Sequence, residues 1–561
     1  MFELFHFFFQ ALLNIGAWLG LIYVVTEPSL GSYEFYIRAI EFSESFFLYS
    51  YFLFILASVF KFKASSRFFA AHFYDLVFFA PLFLIGFEGI HAVHILLIRQ
   101  GAAIFADYLN QYTFGHLADS IARRPARLVL TSFFGVITLG ALILVMPVSV
   151  AANHSPSLLT ALFTSTSAVC VTGLIVEDTG TYFSTFGQII IIALIQIGGL
   201  GLMTLSAGIS LIAGKRMGMT HSSLMQEVLD LSDLVSLKSA LHDIFLWAFL
   251  IELCGAIVIG LRLYILKNCC ISEAAFSGIF HSVSAFCNAG FSIYADSLMG
   301  FQSDPVINFT IMGLIVTGGL GFTVLGSLNS FLRGAKNQRL NTHTWLVVTV
   351  SFILIIVGAV CILALEHDTV PMNNLSTFDK IVAALFQSVS TRTAGFNTID
   401  FTCLKTSTLF FMCILMFIGA SPGSTGGGIK TTTFATLFLF VRAKLKGQSQ
   451  VNIRGRRIPD ETILKSFLIV ALSASLVAMF TFLMILTEEH QLIQIIFEVI
   501  SAFATVGLST GITPQLTAIG KLLIIVLMFI GRTGPVTMAL SITSQSSRVS
   551  IQYPETRVLV G

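Results

Sequence analysis

TSTSAVCVTGL (Thr164 to Leu174), HSVSAFCNAGF (His281 to Phe291), QSVSTRTAGF (Gln387 to Phe396) and EVISAFATVGL (Glu498 to Leu508) are four versions of one stretch. Each is a short Ser/Thr-bearing amphipathic piece that ends at a glycine: Gly173, Gly290, Gly395 and Gly507. The glycines are spaced at 290−173 = 117, 395−290 = 105 and 507−395 = 112 residues. A period near one hundred in an apolar chain predicts four copies of one membrane module. The third copy is one residue shorter between its serine and its glycine: Ser390 to Gly395 is 5, against 6 for Ser167, Ser284 and Ser501.

Composition agrees. Of 561 residues, 55% are hydrophobic and 11% charged, and the mean hydropathy is +0.88. A soluble domain carries about 25% charged residues. The net charge of +2 says nothing of nucleic acid, so charge informs only loop by loop. The eight cysteines show no metal spacing.

Backbone at bilayer depth is tolerated outside a helix only where it is buried or lines a wet cavity. Four glycine-ended loops about one axis would make rings of carbonyls able to replace the water around a cation. Glycine suits such a loop because it reaches positive φ without a Cβ clash. Ordinary small-residue helix packing does not explain why the same order recurs before a second apolar run each time.

A span needs about 20 mostly apolar residues. Module one is predicted with an outer helix at 127–149, its loop at 155–174 and an inner helix at 187–213. Module two follows at 240–267, 273–291 and 305–332, module three at 344–366, 378–396 and 406–441, and module four at 462–487, 489–508 and 516–540. The segments between modules are basic: Lys215 and Arg216; Arg333, Lys336 and Arg339; and Arg442 through Arg457. They predict a cytoplasmic side, with the filter loops entering from outside and both termini inside. Carboxylates near the loops, Glu177, Asp178, Asp296, Asp304, Glu366, Asp368, Asp400, Glu488 and Glu489, would concentrate cations at the mouth or serve only as solvated loop charges.

Ahead of these modules, four more spans are expected at 4–25, 44–62, 69–88 and 89–108. The apolar N-terminus, MFELFHFFFQ, lacks a basic n-region and reads as a retained span. A working voltage sensor needs several arginines at every third position. The fourth of these spans offers only Arg99, which predicts a structural or degenerate block. The expected fold is therefore all-α and polytopic: four tandem modules of outer helix, pore loop and inner helix around one pore, preceded by about four extra transmembrane helices. The boundaries read as 1–118 for the extra block, 119–238, 239–342, 343–460 and 461–545 for the modules, and 546–561 for a tail.

The inner helix of module three is too long for one span and is interrupted by GASPGSTGGG: Gly419, Ala420, Ser421, Pro422, Gly423, Ser424, Thr425, Gly426, Gly427 and Gly428. Proline removes a donor and each glycine weakens a helix by about 1 kcal/mol. The stretch is predicted to hang into a cavity beneath the filter as a gate. A nucleotide P-loop fails, because Ile429 separates Gly428 from Lys430. Arg532 is an intramembrane charge and a functional candidate by default. Loop carbonyls and the hydroxyls of Ser421, Ser424 and Thr425 are suitable acceptors for it. Glu252 has no obvious partner in the sequence, and His281, Gln387 and Glu498 share one pore-helix position that suits an anchor.

The loops resemble the selectivity-filter loops of the Trk/Ktr/HKT superfamily of potassium transporters, closest to its Ktr B-type bacterial membrane subunits. The resemblance runs from roughly residue 125 to the C-terminus and is most specific in SVSTRTAGFNTID (Ser388 to Asp400), GASPGSTGGGIKT (Gly419 to Thr431) and YPETRVLVG (Tyr553 to Gly561). It implies a filter built from Val171, Thr172 and Gly173; Asn288, Ala289 and Gly290; Thr393, Ala394 and Gly395; and Thr505, Val506 and Gly507, with potassium at their carbonyls. It implies that Arg532 faces the pore beneath the gate loop. It further implies potassium uptake across the cell membrane, sodium stimulation, a homodimer with one pore per protomer, and a cytoplasmic nucleotide-binding regulatory ring of the KtrA/TrkA kind. That ring could dock on Gly214–Ser239 and Arg442–Ile463. In relatives, serine at the first-loop glycine accompanies sodium permeation; here the residue is Gly173. The chain has no dinucleotide fingerprint, no organic cofactor is expected, and nothing suggests an enzyme. An alternating-access cation symporter and a sodium-permeable member of the same family are the competing readings.

Overall fold

A computed structural model describes residues 125–201, 234–267, 270–332, 341–373, 375–535 and 538. The four N-terminal spans, the basic segments after modules one and two, and the closing YPETRVLVG lie outside the described residues.

The described chain is four repeats of one unit. Module one has outer helix α1 (Pro125–Leu144), pore helix α2 (Leu158–Val169) and inner helix α3 (Thr185–Leu200). Module two has α4 (Leu234–Lys267), α5 (Ile271–Phe286) and an inner helix in two pieces, α6 (Pro305–Leu320) and α7 (Phe322–Leu332). Module three has α8 (Thr342–Glu366), α9 (Thr377–Ser390), α10 (Thr406–Phe417) and α11 (Thr431–Leu445). Module four has α12 (Asp460–Thr487), α13 (Leu492–Phe503) and α14 (Ala518–Thr533). A small hairpin of β1 (Asn452–Ile453) and β2 (Arg456–Arg457) separates the last two modules.

Within α4, α8 and α12, the stretches Asp243–Lys267, Thr342–Glu366 and Asp460–Thr487 are long and apolar enough to cross a bilayer. Their outward faces show Phe249, Leu261, Phe352, Val360, Phe467 and Phe482. Such surface is stable only against lipid or another helix. Each inner helix packs on the pore helix of the following module: α3 on α5, α6 on α9, α10 on α13, and α14 back on α2. The four units thus close into a ring around the pore helices.

The sequence predicts a break in the third inner helix alone; the structure breaks all of them. The helices stop at Leu200, Leu320, Phe417 and Thr533, and the residues that follow three of them are Gly201, Gly321 and Gly534 at φ 83°, 92° and 88°. In module two the chain turns by 101° there. An inner helix of 16 residues is about 24 Å long, shorter than the hydrocarbon core of about 30 Å. The continuous helices predicted over 187–213, 305–332 and 516–540 therefore need correction. The signal was a repeated tetrapeptide, Gly198–Gly201 (GGLG), Gly318–Gly321 (GGLG), Gly419–Pro422 (GASP) and Gly531–Gly534 (GRTG). Only its last residue takes the left-handed conformation, in the three copies where it is glycine.

Several loop carboxylates are used to build helix ends. Asp178 accepts from Gly180 N and Thr181 N, both at 2.8 Å. Asp304 caps α6 through Ile307 N (3.0 Å) and pairs with Arg262 (2.8 Å). Glu366, fully buried, accepts from Lys405 N and Thr408 Oγ1 at the start of α10. Glu488 does the same for Thr517 before α14. For these residues, satisfying the free N–H groups of a helix start accounts for the charge.

Outer and pore helices are fastened the same way in three modules. Ser165, Ser282 and Ser388 donate to Ile137 O, Glu252 O and Ile355 O at 2.7, 2.6 and 2.7 Å. Gly140, Gly255 and Gly358 lie beside those hydroxyls, where a β-carbon would come closer than 3.0 Å. Module four has Val499 at the serine position. Ser282→Ala is expected to cost about 1 kcal/mol, and Gly255→Val about 2 kcal/mol through overpacking. Thermal unfolding of the detergent-solubilised protein measures both; equal stability of Gly255→Val and the parent would show that the close approach is not needed.

Candidate cation filter and intramembrane loop

Each pore helix ends a few residues before its glycine, and the chain then takes an unusual course. Val171, Asn288, Thr393 and Thr505 adopt φ of 56°, 59°, 74° and 51°, and Gly173, Gly290, Gly395 and Gly507 adopt 88°, 69°, 81° and 91°. The residue between each pair keeps a negative φ. The sign of φ thus alternates along each turn, a course that neither a helix nor a strand takes. The glycines were legible in the sequence. The left-handed residues two positions earlier were not, because three of the four are β-branched, and such residues rarely adopt that conformation.

Hydrogen bonds to one serine hold the strained turn. Ser167 O, Ser284 O and Ser501 O accept from Thr172 N, Ala289 N and Val506 N at 2.8, 2.7 and 2.8 Å, five residues on. In the shorter third loop Ser390 O accepts from Ala394 N at 3.0 Å, four residues on. The missing residue is absorbed at the helix end, and Gly395 keeps its place. The hydroxyls complete the hold: Ser167 and Ser501 accept from the glycine N–H groups at 3.0 and 3.1 Å, and Ser284 and Ser390 donate to Phe291 O and Phe396 O.

The four glycines meet. A β-carbon on Gly173 would strike Ala289 O; on Gly290, Ala394 O; on Gly395, Val506 O; and on Gly507, Thr172 O. All four approaches are under 3.0 Å, closer than a side chain allows. The order one, two, three, four, one is a closed ring. Thr172, Ala289, Ala394 and Val506 are buried completely. Behind the ring, His281 Nε2 bonds Ser292 Oγ (3.0 Å), Gln387 donates to Thr398 Oγ1 (3.2 Å), and Glu498 accepts from Ser509 and Thr513. This shared pore-helix position ties each helix to the segment leaving the ring.

The interruption at 419–428 lies against the pore-helix side of the ring. Gly426 and Gly427 pack so closely on the hydroxyls of Thr393 and Thr505 that neither admits a β-carbon, and Gly428 packs on Ala504. Thr425 Oγ1 donates to Phe286 O at 3.3 Å. The base of the loop is a narrow bridge: Gly419 N to Ile429 O at 2.9 Å and Ala420 N to Gly427 O at 3.3 Å. The last four carbonyls of a helix have no partner within it, and the broken end of α6 offers two of them to the loop. Gly319 O accepts from Ser421 N (3.1 Å) and Gly318 O from Thr425 N (3.3 Å). In return Gly423 O accepts from Phe322 N at 3.1 Å.

Arg532 spans two modules. Its two terminal nitrogens donate to Thr425 O in the loop and to Gly198 O near the end of α3. Its acceptors are thus carbonyls. The hydroxyls expected as further acceptors go elsewhere: Ser424 donates to Ser421 O, and Ser421 Oγ accepts from Thr431. Lys430, which no sequence pattern singles out, donates to Gly426 O at 2.7 Å and closes the loop from its own side. Pro422 and Gly423 lie at the edge that meets α6 and α7. Glu252 does have a partner, the amide of Gln196 at 3.0 and 3.2 Å.

Comparison with known proteins agrees with this architecture. Residues 102–550 match the model of the TrkH family, described as cation transport protein. The Ktr system potassium uptake protein B of Bacillus subtilis is 40% identical over 441 residues, which is 78% of this chain and 97% of the relative. The potassium/sodium uptake protein NtpJ of Enterococcus hirae is 34% identical over 443 residues, again 78% and 97%. The crystal structure of the potassium transporter TrkH from Vibrio parahaemolyticus is similar in fold, with a TM-score of 0.63 at 20% identity, covering 85% of this chain and 97% of that one. The residues before about 102 fall outside the family match. By sequence and by fold, this chain belongs to the TrkH family of cation transport proteins.

Proposed function

We propose that the chain is a potassium uptake pore whose filter is the four-glycine ring and whose gate is the loop at 419–428. The closed contact among Gly173, Gly290, Gly395 and Gly507 carries the reading, because it sets four carbonyl-bearing turns around one axis. Val171, Thr172, Gly173, Asn288, Ala289, Gly290, Thr393, Ala394, Gly395, Thr505, Val506 and Gly507 would supply the oxygens that replace the hydration shell of potassium. The names of the relatives from Bacillus subtilis and Enterococcus hirae support potassium as cargo. The second name includes sodium, so the sodium-permeable reading has a specific ground; Gly173 favours potassium.

In this reading Gly419, Ser421, Pro422, Gly423, Ser424, Thr425, Gly426, Gly427 and Gly428 block the path directly below the filter, and Arg532 holds them there. Its charge also repels an entering ion. Two like unit charges 4 Å apart at an effective dielectric of 20 repel by about 4 kcal/mol, enough to empty the cavity of cations. The chain would work as a homodimer with one pore per protomer, with sodium stimulation and control by a cytoplasmic nucleotide-binding ring. The basic run from Arg442 to Arg457 would face the cytoplasm, as the positive-inside rule favours. Residues 1–118 would form an added membrane block ahead of the pore domain.

Three outcomes test this. Gly173→Ser forces a side chain into the ring beside Ala289 O and is expected to raise sodium flux relative to potassium in matched uptake assays; an unchanged ratio removes the filter assignment. Arg532→Ala, or deletion of Ser424–Gly427, is expected to raise potassium flux per folded molecule and weaken dependence on the cytoplasmic ring. Unchanged flux with intact ring dependence in both variants would sink the gate. Deletion of residues 1–118 should leave potassium flux measurable, since Arg99 alone could contribute only about 2.3 kcal/mol per 100 mV. Steep voltage dependence abolished by the deletion would refute that.

A further inference from the structure

We infer that Glu252 is a positioning residue for the Arg532 lock, acting through Gln196 and the broken end of α3. The inference rests on the arrangement of the lock and deepens the gate reading above. Arg532 needs two carbonyls at once, and one of them, Gly198 O, belongs to a helix that ends two residues later. Gly198 O is among the last four carbonyls of α3, which the helix itself leaves free. A frayed helix end would present that oxygen poorly, so something has to fix it.

Three contacts do. Both carboxylate oxygens of Glu252, a buried residue of α4, accept from Gln196 Nε2 at 3.0 and 3.2 Å. Gln196 Oε1 accepts from Cys287 Sγ at 3.5 Å, and Cys287 is the first residue after pore helix α5. Gly199 packs on the same sulfur too closely for any β-carbon. The turn of α3 that bears Gly198 is therefore clamped between α4 and the second filter loop. The backbone carbonyl of Glu252 in turn accepts from Ser282 Oγ at 2.6 Å, which ties the clamp to α5. The polar chain runs Glu252, Gln196, α3, Gly198 O, Arg532, Thr425 O, and it joins all four modules.

A carboxylate at this depth is costly, and a simple anchor could have been apolar. What the carboxylate supplies is two acceptors for one amide, a charge-assisted bond that orients Gln196. A positioning role and a packing role differ in one respect: only the first is coupled to Arg532.

The test places a reporter in the loop, Ser424→Cys, in the full-length protein. Its labelling by a water-soluble maleimide from the cytoplasmic side is read at that peptide by mass spectrometry. Glu252→Leu and Gln196→Leu are each expected to raise the labelling rate about tenfold, the equivalent of one charge-assisted hydrogen bond. Glu252→Gln keeps an acceptor and should stay within about twofold. In an Arg532→Ala background, Glu252→Leu should add nothing further. An unchanged rate in Glu252→Leu, or equal increases with and without Arg532, overturns the proposal. If Glu252→Leu does not fold, Gln196→Leu decides the same question, because it leaves the carboxylate in place. Potassium flux measured in parallel separates the two readings: labelling that responds as expected with flux unmoved by Arg532→Ala would remove the gate and leave the positioning role standing.

Discussion

The constraint on which the structure depends is that no backbone N–H or C=O can be left unpaired at bilayer depth. The molecule has irregular backbone there, in the four glycine turns and in the 419–428 loop packed against them. It satisfies that backbone from two sources. The pore helices lend their C-terminal carbonyls and serine hydroxyls to the glycine turns. The broken inner helices lend carbonyls to the loop and to Arg532. Breaking a helix is therefore a way of making acceptors. Gly318 O, Gly319 O and Gly198 O lie among the last four carbonyls of their helices, which the helix leaves free for the loop and the arginine.

The same argument explains the rows of glycine. At Gly198, Gly318 and Gly531 a β-carbon would strike Val169 O, Phe286 O and Phe503 O, the last carbonyls of three pore helices. Inner and pore helices approach until backbone meets backbone, the close packing that small residues allow in membranes. In module three the equivalent Gly419 faces Gly427 O of its own loop. The repeat is thus fourfold in backbone and unequal in use. Modules three and four carry the loop and the arginine, whereas modules one and two carry the carboxylate and amide beside them.

How much of this was legible depended on the kind of signal. The four turns could be read because their glycines recur in register with a serine. The loop could be read because proline and clustered glycine cannot continue a helix. The breaks at Gly201, Gly321 and Gly534 were missed because single glycines are common in membrane helices, and only the tetrapeptide repeat marks them. The left-handed Val171, Thr393 and Thr505 were illegible in principle, since local propensity points the other way and tertiary hydrogen bonds override it. Glu252 seemed without a partner because Gln196 is 56 residues away in another module. Glu366 and Glu488 read as mouth charges because a carboxylate that caps a distant helix looks, in sequence, like any other near a loop.

The ring of glycines closes between the first loop and the last. Gly507 meets Thr172 and Gly173 across 507−173 = 334 residues. Three modules alone would leave one flank of the ring open. The closed ring is therefore a property of all four modules together, because Gly173 and Gly507 meet only when the last pore helix is in place. The three serine fastenings lie in modules one to three, and module four, with Val499, has none of them. Three pore helices are thus each tied to their own outer helix by a serine bond, and the fourth, α13, is held without one, by packing on α10, α12 and α14.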